Sequence, residues 1–320
     1  MACSLSRSLL TEVSKFSFHI KHNVSLARLS TFAIGGIAKN YLPVENNDDL
    51  ISILKLLHKK SLPFKVFAGG SNIVFPDNGL ELFLIHLKNG NFHLQNNSII
   101  ADAGVPLSQI INLSIENGLS GLENLSGIPG SLGGAIVGNA GAYGSSVSDP
   151  IIKVKIWHKG KIGWLDKIDC KFLYRDSIFK HKPLILLEIE LELSVSEKSK
   201  LQKISAEIIN IRTQKYKPGL KCPGSFFKNV LITAISPQKL AGINQSVIIA
   251  GKIPAGYLLT EVGARGLSVG GIEVSDFHGN LLINNKGNGK ASDVKKLAEI
   301  LKNKVYKKFG IMLEEEVRYI

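Results

Sequence analysis

The segment from Gly121 to Gly144 constrains the fold more than any other part of the chain. It has eight glycines in 24 positions, and leucine, isoleucine, valine and tyrosine interrupt it throughout. A flexible linker would be rich in glycine and serine without those apolar residues. Because glycine lets backbone approach where a side chain would collide, we expect ordered backbone here, packed closely against something flat or narrow.

The composition is that of a globular protein with more than one packed unit. Of the 320 residues, 44% are hydrophobic and 20% are charged, which is ordinary for folded domains. A chain of this length exceeds the size at which one hydrophobic core keeps growing, so two or three packed units are expected. The sequence has no apolar run of about 18 residues or more, so we predict no membrane insertion.

The cysteines and the amino-terminal segment predict a cytoplasmic protein. Cys3, Cys170 and Cys222 are odd in number and widely spaced, which suits neither a disulfide framework nor a CxxC site. Residues 1–24 lack the clean apolar stretch of an export signal, and we expect them to form an amino-terminal extension.

The positive charge does not predict a nucleic-acid partner. The formal net charge is +13, but residues 101–150 contain no Lys or Arg and four acids. A nucleic-acid binder concentrates its cations on one face or groove. The charge could instead attract small anionic ligands.

Common site motifs are missing from the sequence. No GxGxxG follows a predicted strand and no P-loop occurs, so a Rossmann site and nucleotide hydrolysis lose their usual signatures. The eight histidines are scattered without HExxH or a Cys/His cluster. We therefore predict no metal site.

Hydrophobic periodicity predicts helices alternating with strands. A helix from Asp48 precedes a strand that runs directly into GGSNIVFPDNG, a small-residue turn typical of ligand sites. The predicted helices cover residues 48–61, 106–118, 200–214 and 292–310, and the predicted strands cover residues 64–69, 81–87, 98–104, 151–157, 161–166, 184–193 and 313–320.

Four groups of motifs from about Leu29 to Ile320 together resemble one family, the UDP-N-acetylenolpyruvoylglucosamine reductases of bacterial peptidoglycan synthesis. The most specific is LSGIPGSLGGAIVGNAGAYG, which is similar to the family's GIPG and NAGAYG run. The others are STFAIGG with AGGSNIVFPDNG, YRDS with PGSFFKN, and AGYLLTEVGARG with VSDFHGN and the closing FGIMLEEEVRYI. The order and approximate spacing of the motifs agree as well.

The resemblance implies an α+β fold: a two-lobed FAD-binding domain of the vanillyl-alcohol-oxidase (PCMH) type over residues 25–198, followed by a smaller α+β substrate-binding domain over residues 199–320. Glycine loops suit the pyrophosphate of FAD, because their backbone amides can converge on it without arginine. The residues implied to bind FAD are Gly69, Gly70, Ser71, Asn72, Gly127, Ile128, Pro129, Gly130, Gly133, Gly134, Asn139, Ala140, Gly141, Ala142 and Tyr143.

The resemblance also implies a reaction and three catalytic residues. NADPH would reduce FAD, and UDP-N-acetylglucosamine enolpyruvate would then take a hydride from flavin N5 at C3, giving UDP-N-acetylmuramate. Arg175 and Glu316 would hold and polarise the substrate carboxylate, and Ser225 would donate a proton to C2. Lys228 and Asn229 match substrate-binding positions, and Lys228 could assist Ser225. We expect a monomer with one small-molecule substrate.

Each catalytic match has a structural alternative from the residues alone. Arg175 could be a helix-end arginine paired with Asp176, Ser225 could be a turn or cap residue, and Glu316 belongs to an acidic run of the kind that is usually solvated. The side chain of Tyr143 could either pack in the core or contact the flavin.

Departures from the family pattern affect individual contacts. Ala33, Ile37, Ala68, Gly138 and Glu315 replace the usual residues, and RTQKYKPGLKCPGS differs from the usual lead-in to the serine motif. The short connection between Arg175 and Ser225 resembles the family's second type, which lacks an insertion that caps the substrate.

Two other functions remain open from the sequence. One is another flavin oxidoreductase of the same fold with a different substrate, since a fold does not fix a reaction. The other is a basic RNA- or membrane-associated protein.

Overall fold

The computed structural model describes residues 19–320. The predicted extension over residues 1–24 lies mostly outside them. The described chain forms two compact units. Unit 1 contains residues 19–24, 38–69 and 80–209, and unit 2 contains residues 25–37, 70–79 and 210–320.

Unit 1 is built on two sheets. The strands of these sheets are β1 (Lys21–Ser25), β2 (Ile37–Val44), β3 (Phe64–Phe67), β5 (Leu80–Leu87), β6 (Phe92–Gln95), β7 (Ser98–Asp102), β11 (Ile151–His158), β12 (Lys161–Asp166) and β13 (Ile185–Glu192). A four-stranded sheet has the order β1-β2-β5-β3, with β2 and β3 both parallel to β5. A five-stranded antiparallel sheet has the order β12-β11-β13-β7-β6. Two-residue strands complete unit 1: β8 (Leu119–Ser120), β9 (Gly141–Ala142), β10 (Ser145–Ser146) and β14 (Ser194–Val195).

The helices of unit 1 pack apolar stripes against these sheets. They are α1 (Asn47–Lys59), α2 (Leu107–Glu116), α3 (Leu132–Gly138), α4 (Ile178–His181) and most of α5 (Lys198–Lys215). On α1 the predicted stripe of Leu50, Ile53, Leu54 and Leu57 is at most 1% exposed. These residues belong to one core together with α2, β7 and β13, as expected for an amphipathic helix against a sheet.

Unit 2 has its own core beneath short strands and one long helix. Its elements are β4 (Ile73–Val74), β15 (Val230–Leu231), α6 (Pro237–Ala241), β16 (Lys252–Ile253), α7 (Ala255–Glu261), β17 (Ser268–Val269), β18 (Ile272–Val274), β19 (Leu282–Ile283), α8 (Ala291–Phe309) and β20 (Arg318–Tyr319). The core includes Phe32 and Val74 beside residues of α7 and α8. The two short segments from the amino-terminal part of the chain are therefore integral to unit 2.

The predicted helices are all present, and the structure corrects one predicted strand. Residues 313–320 do not form one strand, since only Arg318–Tyr319 pair regularly, with Ile73–Val74 of β4. The second compact unit begins after Ile209 and also contains residues 25–37 and 70–79, and the domain bounds expected from the sequence stay a prediction. No described helix is long and apolar enough to cross a membrane.

The first turn of α8 is capped by a carboxylate from a distant part of the chain. Asp77 accepts hydrogen bonds from the amides of Ala291 (2.6 Å) and Ser292 (3.0 Å) and from the Ser292 hydroxyl (2.9 Å). These groups otherwise lack partners at a helix start. Burial works to raise the pKa of Asp77, but these hydrogen bonds outweigh it and hold the pKa below its usual value.

We expect Asp77→Ala to lower the free energy of unfolding by about 1–2 kcal/mol, as loss of a cap does. Because the pKa is lowered in the fold, this contribution is present above the usual aspartate pKa of 3.8 and is lost as the pH falls through the lower pKa of the folded state. Urea unfolding followed by circular dichroism measures the effect. Asp77→Asn keeps one acceptor oxygen and should lose less, so equal losses in both variants would contradict the capping role.

Candidate active site

The two glycine motifs implied to bind FAD meet through their backbones in unit 1. A Cβ atom on Gly69 would lie 2.6 Å from the Cα of Gly130 and 2.9 Å from the amide nitrogen of Ser131. Gly130 itself has a φ of 108°, which L side chains rarely adopt. The approach of these loops therefore requires glycine at both positions.

The same glycine run contacts the end of β7. The amides of Leu132 and Gly133 donate to the carbonyls of Val105 (2.8 Å) and Ala103 (2.9 Å), and the Gly134 amide donates to the Ser131 hydroxyl (3.1 Å). The expectation of ordered, closely packed backbone between Gly121 and Gly144 is thus met over this part of the run.

Two buried acceptors within the predicted FAD motifs have no hydrogen-bond partner among the described residues. They are Oδ1 of Asn139 in unit 1 and Oδ1 of Asn72 in unit 2. A buried polar atom without a partner is costly. Each oxygen, taken within its own unit, could accept from a donor group of a bound dinucleotide, so the residues of each motif fit FAD.

Tyr143 is not a core residue. Its side chain is 48% exposed, and its φ of 49° lies in the left-handed region. The alternative of core packing is therefore wrong, and the flavin contact stays a prediction.

The predicted catalytic arginine is fixed against NAGAYG. Its two terminal nitrogens donate to the carbonyls of Gly141 (2.7 Å) and Asn139 (3.4 Å), and its own carbonyl accepts from Lys180 (2.7 Å). The Asp176 carboxylate, which the residues alone offered as a partner of Arg175, bonds to His181 at 2.9 Å. The guanidinium group of Arg175 thus has an orientation set by backbone carbonyls.

In unit 2 the segments carrying Ser225 and Glu316 lie side by side. The Glu316 amide donates to the Phe226 carbonyl (2.8 Å), and the Lys228 amide donates to the Glu314 carbonyl (2.9 Å). An isolated antiparallel bridge between Phe227 and Glu315 lies between these bonds. The closing motif therefore pairs with PGSFFKN instead of continuing as a strand.

The loop of residues 70–79, which carries the GSN residues implied to bind FAD, is called the flavin loop. It contacts the paired Ser225 and Glu316 segments within unit 2. The side-chain amide of Asn72 donates to the carbonyl of Glu316 (3.1 Å), and the amide of Arg318 donates to the carbonyl of Asn72 (3.0 Å). Asn72 thus lies next to the chain at Glu316. Arg175 belongs to unit 1, whereas Ser225 and Glu316 belong to unit 2.

Asn280 of the VSDFHGN motif fixes the backbone on the other side of PGSFFKN. Its carbonyl accepts from the Phe226 amide (3.0 Å), and its side chain accepts from the Phe227 amide and donates to the Phe227 carbonyl, both at 2.8 Å. Sequence reasoning did not single out Asn280, although it lies in a quoted motif.

The three acids of the closing motif have different surroundings. Glu314 pairs with Lys228, and Glu315 pairs with Lys302 and accepts from the Tyr319 hydroxyl (2.7 Å). Glu315 replaces the family's usual proline and ties this segment to α8. Glu316 is half-buried, so it is not a freely solvated acid.

Lys228 and Asn229 already have protein partners. The ammonium group of Lys228 pairs with Glu314, and the Asn229 side chain accepts from the Ala255 amide (3.1 Å) at the start of α7. The hydroxyl of Ser225 bonds instead to Tyr216, at 2.9 Å. Sequence reasoning missed Tyr216, because no motif marks it.

A half-buried histidine, His86, supports the strand that leads into Gly69. The His86 ring stacks on Phe67 with centroids 4.3 Å apart, and its Nδ1 is hydrogen-bonded to the Tyr41 hydroxyl at 2.7 Å. Burial and the charge of Lys88 lower the pKa of His86 to about 4, against a hydrogen bond with Ala68 that raises it. The ring is therefore neutral at physiological pH.

A half-buried histidine held in its neutral form makes stability depend on pH. The pKa in the fold lies below the usual histidine value of 6.5, so the contribution is present above that value and is lost as the pH falls toward 4. We expect His86→Phe to flatten the decline in the free energy of unfolding over this range, measured by urea unfolding at several pH values. An unchanged slope in the variant would contradict the assignment.

Among residues 19–320 no three His, Cys, Asp or Glu side chains form a group that could hold a metal ion. The prediction of no metal site rests on the sequence alone.

Comparison with known proteins identifies the class. A model described as an FAD binding domain matches residues 38–161, and one described as the C-terminal domain of UDP-N-acetylenolpyruvoylglucosamine reductase matches residues 214–320. These matches, together with the glycine loops, define an FAD-dependent oxidoreductase.

Curated relatives match along nearly the whole chain. A UDP-N-acetylenolpyruvoylglucosamine reductase of Solibacter usitatus is 35% identical over 302 residues, which cover 94% of this chain and 96% of the relative. A protein of Bacillus cereus named UDP-N-acetylenolpyruvoylglucosamine reductase 1 is 33% identical, with 92% of each covered. The chain belongs to the UDP-N-acetylenolpyruvoylglucosamine reductase family.

A solved structure agrees with this assignment. The crystal structure of the reductase (MurB) from Thermus caldophilus superimposes with a TM-score of 0.74 at 28% identity, covering 94% of this chain and 99% of that one. The predicted α+β fold class, an FAD-binding domain followed by a substrate-binding domain, is confirmed.

Proposed function

We propose that this chain reduces UDP-N-acetylglucosamine enolpyruvate to UDP-N-acetylmuramate, with NADPH as the electron source, in peptidoglycan biosynthesis. The observation that carries the proposal is the pairing of the Ser225 and Glu316 segments with each other and with Asn72 of the flavin loop. A proton donor and a carboxylate held beside a flavin loop suit reduction of a polarised double bond.

When bound, FAD would serve as the carrier of two electrons from the nicotinamide to the substrate. The chain's own residues then handle charge and protons. Hydride addition at C3 leaves negative charge on C2 and the adjoining carboxylate. Arg175, oriented by the carbonyls of Asn139 and Gly141, suits the carboxylate because its guanidinium group can bind one in a bidentate manner.

Ser225 and Glu316 complete the proposed machinery. Ser225 donates the proton to C2, and its backbone is held in place through Phe226 by both Asn280 and Glu316. Glu316 helps to hold and polarise the site. Such preorganised groups act where charge develops during the reaction.

Lys228 and Asn229 are proposed to line the substrate site. The side chain of Lys228 is largely buried and its ammonium group is paired with an exposed Glu314, so the anionic substrate would compete with that carboxylate. The proposed FAD contacts lie in the segments GGSN (69–72), GIPGSLGG (127–134) and NAGAY (139–143). A monomeric state, a cytoplasmic location and the lack of a nucleic-acid partner remain predictions.

Identification of the product tests the proposed function. The purified chain with FAD, NADPH and the enolpyruvyl sugar should give a product heavier than the substrate by two hydrogens, detected by mass spectrometry. NADPH consumption without that product would favour the second candidate, a flavin oxidoreductase of the same fold with another substrate. A protein that takes up no FAD but binds RNA or vesicles would favour the third.

A further inference from the structure

Within the part of the chain that the structure describes, the hydroxyl of Ser225 is hydrogen-bonded to the phenol of Tyr216, which lies nine residues earlier. The two oxygens are 2.9 Å apart. Nothing in the chemistry assigned to Ser225, Arg175 and Glu316 uses this tyrosine. A serine hydroxyl is a weak acid, and loss of its proton leaves an alkoxide. A hydrogen-bond donor beside the serine oxygen would stabilise that alkoxide.

The direction of the hydrogen bond follows from the acidity of the two groups. A phenol is a far stronger acid than an aliphatic hydroxyl, with a pKa of about 10 in water. Tyr216 is therefore the better donor, and Ser225 Oγ the better acceptor. With Tyr216 donating, the proton of Ser225 remains available for a substrate atom.

Two cations lie over the ring of Tyr216. The guanidinium carbon of Arg212 is 5.1 Å from the ring centroid, and the ammonium nitrogen of Lys215 is 5.2 Å from it. Cations at this distance are attracted to an aromatic face, and they would also stabilise negative charge that develops on the phenol oxygen.

The backbone around both hydroxyls is fixed by several contacts in unit 2. The Tyr216 ring packs with Leu220 against a small cluster that includes Cys222 and Leu281. The carbonyl of Cys222 accepts from the Thr31 hydroxyl at 2.8 Å. These contacts hold both ends of the segment that joins the two hydroxyls.

We propose that Tyr216 is a positioning and proton-relay residue that acts through Ser225. This inference rests on the proposed function. As the O–H bond of Ser225 breaks and its proton forms a C–H bond at C2, the Tyr216 proton moves to Ser225 Oγ. The negative charge passes from the substrate to the Tyr216 oxygen, beside Arg212 and Lys215, and a proton from water then restores the phenol. No electrons are exchanged in this step.

Separate measurement of the two half-reactions tests the inference. With Tyr216→Phe, which keeps the ring and its packing, we expect NADPH to bleach the flavin at the wild-type rate. Recovery of the colour on adding the enolpyruvyl sugar should be slower by roughly tenfold to a hundredfold, as for loss of an aid to acid catalysis. The solvent deuterium isotope effect on that recovery should also change, which a purely structural role would not produce.

The controls separate failure of the inference from failure of the proposed function. Tyr306→Phe, at an exposed position of α8, should behave as wild type. A double variant, Tyr216→Phe with Ser225→Ala, should be no slower than Ser225→Ala alone. Wild-type recovery in Tyr216→Phe, with slow recovery in Ser225→Ala, would overturn the inference alone. Wild-type protein that never recovers with the enolpyruvyl sugar would overturn the proposed function and the inference with it.

Discussion

Ser225→Ala is expected to lower turnover by roughly 10²- to 10⁴-fold, the range that general acid catalysis contributes. The loss should be confined to the second half-reaction, because the hydroxyl is proposed to donate a proton only to the substrate. Stopped-flow absorbance without oxygen measures reduction of the flavin by NADPH and its reoxidation by the enolpyruvyl sugar as separate rate constants.

A second serine in unit 2 provides the control for this variant. Ser236 is exposed and its side chain makes no capping hydrogen bond to α6, so Ser236→Ala should leave both rate constants unchanged. If Ser225→Ala reoxidised at the wild-type rate, Ser225 would not be the proton donor, and the acid would have to be sought elsewhere in the site.

Gly69→Ala is expected to weaken FAD binding by roughly tenfold to a hundredfold. The added Cβ would lie 2.6 Å from Gly130 Cα and 2.9 Å from the Ser131 amide nitrogen, and both are backbone atoms that cannot rotate away. Overpacking of this kind costs on the order of 1–3 kcal/mol. Titration of the apoprotein with FAD, followed by flavin fluorescence, gives the dissociation constants.

Gly138→Ala is the matched control within the same motif region. Nothing lies within 4 Å of the Cβ position at Gly138, and its φ is not among the positive values. The variant should bind FAD as wild type does. Equal FAD affinity for Gly69→Ala and wild type would contradict the role assigned to the contact between the two glycine loops.

The helices could be predicted because their signals are local. The stripe on α1 and the stop of α8 at Gly310, whose φ is 65°, follow from periodicity and helix-end chemistry. The residues 313–320 were predicted as one strand from their composition. Their backbone groups instead bond to two separate partners. Glu315 makes one bridge to Phe227, and Arg318–Tyr319 pair with Ile73–Val74.

The motifs of the site could be recognised, but their contacts could not be predicted. Asn72 and Glu316 are 244 residues apart, and the hydrogen bond between them depends on the loop of residues 70–79 belonging to unit 2. No local sequence pattern indicates that this loop belongs to unit 2. Tyr216 was missed for a similar reason: its lead-in departs from the family pattern, and its contact with Ser225 depends on the turn between them.

The central claim is that one flavin takes electrons from NADPH and gives them to an enolpyruvyl UDP-sugar. The most direct test is the visible spectrum of the purified protein loaded with FAD, followed without oxygen by NADPH and then by UDP-N-acetylglucosamine enolpyruvate. We predict bleaching by NADPH and recovery of the oxidised spectrum with the sugar. Bleaching without recovery would contradict the substrate assignment, and failure to take up FAD would contradict the account of the site itself.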